Sequence, residues 1–205
     1  MFSGLGYVTI LSLFGGALFA GNPAERIAAL EIHQIQPTKL ERQIEMTNVS
    51  YFFGKKSLIE ERLDLRLGVT ATRARGSIVQ LEGSFEAGTL RSQTLDSPAW
   101  GAGPTVGATL KVLEIGPTRL NLEASGSVMA FDRSFPAGGT WYNGMVQAGP
   151  SLSVDLDRKR NLTVGARWAH LSNGQGLGAH NPSFDGRGIF VQYERALGRT
   201  AERRS

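Results

Sequence analysis

A histidine and a serine stand two residues apart late in the chain, as His170-Leu171-Ser172, and Asn173 and Gly174 follow directly. A glycine-containing loop then leads to Asn181-Pro182 and to the carboxylate of Asp185. A serine hydroxyl is a weak nucleophile until a base takes its proton, and a third group must hold that base in orientation. His170 can serve as the base, Ser172 as the nucleophile and Asp185 as the orienting acid. Asn173, Gly174 and Asn181 can offer amide donors to an oxyanion. The chemistry such a set supports is acyl transfer.

That chemistry needs the three side chains on one surface. Leu162, Val164, Ala166 and Trp168 alternate with their neighbours at a period of two, which predicts a strand. Residues i and i+2 of a strand share a face, so His170 and Ser172 continue the apolar stripe. A following strand, from about Arg187 to Glu194, carries Ile189, Val191 and Tyr193 on its odd positions. Asp185 has the same parity and is expected to return beside His170.

The rest of the chain reads as more of the same element. Val49, Tyr51 and Phe53 share a face, and Gly54-Lys55-Lys56-Ser57 reads as a turn. Further strands are expected over 59–71, 79–86, 100–112, 119–128 and 142–154, giving eight in all with the two that carry the site. No segment between strands has helical periodicity, which excludes a βαβ fold. Eight sequential antiparallel strands fit an all-β, up-and-down transmembrane barrel. The polar faces bring opposite charges together (Glu60, Arg62, Asp64, Arg66), as a narrow lumen filled by ion pairs requires. Short turns at about 72–75, 114–117 and 155–160 alternate with longer connections at 88–98, 131–140 and 173–186, the pattern of an outer-membrane barrel. The turn at Lys55-Lys56 is the exception.

The 205 residues allow one substantial domain, and the absence of cysteine excludes disulfides and cysteine-based zinc sites. Residues 1–20 are apolar and small without a preceding Lys or Arg, and read as an export signal. Residues 21–43 are expected to be a periplasm-side lead-in, 44–195 the barrel, and 196–205 a basic polar tail. The net charge of +4 owes much to Arg195, Arg199, Arg203 and Arg204, without the interleaved aromatics of a nucleic-acid face. No metal or cofactor is expected. His180 lacks ligand spacing relative to His170 and reads as a loop histidine, and Asp155-Leu156-Asp157 reads as a turn rather than a calcium loop. Lys55, Lys56 and Arg133 are candidates to meet lipid phosphates on the outward side.

With a periplasmic N-terminus the seventh strand runs outward, so His170 and Ser172 face lipid near the outer surface. The run His170-Leu171-Ser172-Asn173, the loop, Asn181-Pro182 and Asp185 resemble the outer-membrane lipid A 3-O-deacylases of the PagL type. The likeness is close over 166–185 and loose over the eight-strand pattern. It implies a bacterial outer-membrane barrel that hydrolyses the 3-position ester-linked acyl chain of lipid A, with Ser172 as nucleophile, His170 as base and Asn181 at the oxyanion. That family usually carries Glu where this chain has Asp185. The expected partners are lipid A or lipopolysaccharide and the surrounding outer-membrane lipids, with a homodimer left open. A non-catalytic structural or adhesion barrel and a soluble lipid-binding barrel remain as rival readings.

Overall fold

In the computed structural model, the described residues are 25–59, 61–84, 89–174 and 182–197. They form nine strands and no helix: β1 (Glu25–Pro37), β2 (Arg42–Leu58), β3 (Leu63–Ser84), β4 (Thr89–Asp96), β5 (Ala99–Ile115), β6 (Thr118–Phe135), β7 (Thr140–Asp155), β8 (Arg160–Ser172) and β9 (Phe184–Ala196). Every pairing is antiparallel, and β2 pairs with β3 to close the sheet. Eight of the strands make the closed barrel. The ninth, β4, is a short ribbon paired with the far end of β3 (Ser77–Ser84) beyond the barrel wall.

The count of eight is right, but two expectations behind it are corrected. The barrel begins at Glu25 rather than at residue 44. Most of the segment read as a lead-in, 21–43, is strand β1, paired with both β2 and β9. Conversely β3 runs unbroken through Thr72–Arg75, where a turn was expected. One strand missed and one strand cut in two left the total and the direction of β8 unchanged. The expected turn at Gly54–Ser57 is also strand, with the reversal beyond Leu58. Lys55 and Lys56 therefore lie at the same end as the β5–β6 and β7–β8 turns, and the short connection at the opposite end is instead β1–β2, residues 38–41. The expected 88–98 loop contains β4, and β6 extends to Phe135, which shortens the 131–140 loop. The proposed export signal (1–20) and nearly all of the basic tail lie outside the described residues.

One barrel end carries the tight turns. Between β5 and β6 only Gly116 and Pro117 intervene, and Gly116 takes the positive φ (59°) that the first position of such a hairpin requires. The opposite end carries the β1–β2, β3–β4, β6–β7 and β8–β9 connections.

The wall is inside out relative to a soluble barrel. Leu162, Tyr193, Leu30, Tyr51, Val69 and Pro104 form one outward row across β8, β9, β1, β2, β3 and β5. Val164, Val191, Ile32, Val49, Ala71 and Ala102 form the next. The interior behind these rows is charged. Arg167 makes a bidentate pair with Glu31 (2.7 and 2.9 Å) and reaches Glu123 (2.6 Å), which Arg66 also holds at 2.9 Å. Lys55 pairs with Glu194 at 2.7 Å. A hydroxyl chain, Ser50–Thr70–Thr105–Ser127, crosses four strands at 2.6–2.8 Å. Burying such groups is tolerable only when they are paired in this way.

Toward the loop end the interior changes character. Ile35, Ile44, Met46, Met129, Phe131, Phe135, Met145, Leu171 and Phe184 pack into one apolar cluster that fills the lumen. On the outward face the change runs the opposite way, from apolar to polar. The hydrophobic phase of the long strands therefore inverts near the loop-end rim. In β3 the apolar residues are outward at Val69 and Ala71 but inward at Ala74 and Ile78. In β8 Val164 and Trp168 are outward, whereas Ala169 and Leu171 are buried inside. The candidate site sits at this inversion.

Candidate active site at the lipid-facing rim

Strand β8 ends at Ser172, and its register sets His170 directly opposite Asp185 on β9. The alternation buries Ala169 and Leu171 in the apolar plug and leaves His170 and Ser172 on the outward face, half-buried. Phe184, fully buried, does the same for Asp185 on β9. The site's backbone is thus anchored from below by packed side chains, while its functional groups face outward.

His170 Nδ1 lies 2.7 Å from Asp185 Oδ1. An ionised carboxylate can only accept a hydrogen bond, so Nδ1 carries the hydrogen and Nε2 is left as the basic nitrogen. The Trp168 indole stacks on the imidazole, with ring centroids 5.7 Å apart and an interplanar angle of 16°. Carboxylate on one edge and indole on one face together restrict the ring's rotation. Ser172 Oγ accepts a hydrogen bond from the Gly174 backbone N–H at 3.1 Å. That amide lies beside the candidate nucleophile, engaged with the hydroxyl itself as a local turn contact.

Asn173 departs from expectation. It falls on the inward parity and is buried, which removes its side-chain amide from the outward surface. Asn181 and His180 lie outside the described residues. Lys55, Lys56 and Arg133 are not gathered at the site: the two lysines stand at the turn end, and Arg133 pairs with Asp132 at 3.3 Å.

One contact was not legible beforehand. Lys39 Nζ lies 2.9 Å from Asp185 Oδ2. The preceding residue, Thr38, donates to the Asp185 carbonyl from both its backbone N–H (3.1 Å) and its hydroxyl (3.0 Å). The β1–β2 turn is thus docked on the residue whose carboxylate holds His170. The dipeptide Thr38-Lys39 just after Pro37 is the sequence signal, and it is concealed because neither face of β1 is apolar throughout.

A closed antiparallel barrel with an apolar outward belt and an ion-paired interior is an outer-membrane-type β-barrel. The chain is accordingly a membrane-spanning barrel of the outer-membrane type. No protein-family model and no curated protein sequence matches it. Among solved structures it is similar to that of the outer membrane enzyme PagL, with 15% identity, a TM-score of 0.49, and coverage of 80% of this chain and 98% of that one. It is also similar to Neisserial surface protein A (NspA), with 12% identity, a TM-score of 0.47, and coverage of 83% and 95%.

Proposed function

We propose that this barrel is a lipid A deacylase, hydrolysing the 3-position ester-linked acyl chain of lipid A from within the outer leaflet. The observation that carries the reading is the cross-strand pair of His170 and Asp185, two residues from Ser172, on the outward face at the upper edge of the apolar belt. The trio stands where the outward face turns from apolar to polar, at the level of the membrane interface. A substrate anchored by its acyl chains against the belt presents its ester linkages at this level.

In the reaction Ser172 Oγ attacks the ester carbonyl while His170 Nε2 takes its proton. The tetrahedral oxyanion requires amide donors beside Ser172. The imidazolium returns the proton to the departing sugar hydroxyl, leaving an acyl-serine ester. Water, deprotonated by the same nitrogen, attacks the acyl-serine carbonyl, and the imidazolium gives that proton to Ser172 Oγ as the C–O bond breaks and the fatty acid leaves. Asp185 stabilises the imidazolium at both stages without itself becoming protonated.

Incubating the purified barrel with lipopolysaccharide in detergent and recording lipid A mass spectra tests this. Loss of one ester-linked 3-hydroxyacyl chain is expected, and an unchanged spectrum refutes it. Asp185→Asn keeps the shape but loses the charge that fixes the tautomer. Its rate should fall about 10²- to 10⁴-fold, less than for loss of Ser172 or His170.

A further inference from the structure

The outward rows next to the site are not lipid-like. Arg187 and Gln36 pair across β9 and β1, and Glu45 and Arg75 pair across β2 and β3. One row nearer the belt stand Ile189, Gln34, Thr47, Arg73 and Trp100, with the Arg73 guanidinium 4.9 Å from the Trp100 ring centroid. Arg75 and Arg187 are exposed and make no ion pair among the described residues. The strand residues of this sector thus bring three guanidiniums to the membrane face. The carboxylates there are Glu45 and Asp185, and Asp185 is already held by His170 and Lys39.

A groove of about 510 Å³ opens at the same place, lined by Thr38, Lys39, Leu40, Gln43, Glu45 and Arg75 among others. Its Lys39 wall is the side chain that touches the acid of the site, which links the groove to Asp185. Lys39 has three ammonium hydrogens and can bind a second anion while retaining the carboxylate.

Arg75 has Glu45 across from it on β2 and Arg187 has the neutral Gln36 on β1; these guanidiniums make no ion pair among the described residues and stand one or two rows above the apolar belt, at the depth of headgroup phosphates. Arginine suits phosphate through bidentate, charge-assisted hydrogen bonds. We propose that the Lys39–Arg75 groove, together with Arg187, which stands opposite Gln36 on the neighbouring strand β9, binds a phosphate of the substrate lipid's headgroup and so sets which ester reaches Ser172. This rests on the hydrolase reading above and adds to it a recognition site for a phosphorylated lipid.

The test uses the full chain in detergent micelles, with tryptophan fluorescence reporting binding through Trp100 and Trp168. Three ligands are titrated: lipid A carrying its phosphates, lipid A stripped of them, and inorganic phosphate. Hydrolysis of the two lipids is followed in parallel. The phosphorylated lipid should bind about tenfold more tightly than the stripped one, the lower end of what a charged hydrogen bond contributes. The Arg75→Gln, Arg187→Gln double variant should lose that preference, and the corresponding double Lys variant should keep most of it. Equal affinity of the wild type for both lipids, or a preference that survives the double Gln change, overturns the proposal. Inorganic phosphate binding as tightly as the lipid would make this a free-anion site and also overturn it. Hydrolysis without phosphate preference sinks the groove and spares the triad, whereas phosphate-dependent binding without hydrolysis does the reverse.

Discussion

Ser172→Ala is expected to remove deacylation to the limit of detection, a fall of at least about 10⁴-fold in kcat, with His170→Ala equally damaging. Both substitutions change outward, half-buried side chains at the end of β8 and leave the plug residues Ala169 and Leu171 in place. The barrel should therefore keep its heat-modifiable migration, which separates lost chemistry from lost folding. The double variant should be no slower than either single one, because nucleophile and base act as a unit. Fatty-acid release from lipid A by the purified variants gives the numbers. Near-wild-type release by either single variant contradicts the assignment.

Arg167→Ala is expected to have the largest effect on stability. Its guanidinium neutralises Glu31 through two hydrogen bonds and touches Glu123, and all three side chains are almost wholly buried. Arg66 still holds Glu123 after the change, but Glu31 loses both of its hydrogen bonds to Arg167 and, among the described residues, is left with the more distant charge of Arg66. Breaking a buried pair in this way costs about 3–5 kcal/mol. Removing both partners, as Arg167→Met with Glu31→Met, should recover at least half of the loss, because no uncompensated charge remains. Urea unfolding of the barrel reconstituted in detergent, followed by tryptophan fluorescence, measures both. A single variant within about 1 kcal/mol of wild type would mean that the ion network is not what organises the lumen.

Where the membrane belt is uniform, the sequence is easy to read. Leu162, Val164 and Trp168, or Ile189, Val191 and Tyr193, alternate cleanly because lipid lies outside and ion pairs lie inside. The parity of these stretches carries over to His170, Ser172 and Asp185, which is why their shared face and their pairing could be anticipated. Reading fails where the interior changes from ionic to apolar. In β3 the apolar parity switches between Ala71 and Ala74, and a switch of parity looks like a turn. In β1 the inward face runs Ile27, Ala29, Glu31, His33, Ile35, and the outward face runs Leu30, Ile32, Gln34, Gln36. Neither parity is apolar throughout, so the strand was missed. With it went the turn that carries Thr38 and Lys39, and hence the contact on Asp185. The inversion that conceals these strands also puts a polar site on a lipid-facing wall.

A lipid-like fluorophosphonate offers the most direct measurement, since it adds only to a serine whose hydroxyl an adjacent base has activated. Peptide mapping after treating the folded barrel should find one phosphonyl adduct, on Ser172, and none in His170→Ala. An unmodified Ser172 in a correctly folded wild-type barrel, or labelling that persists without the histidine, would contradict the account.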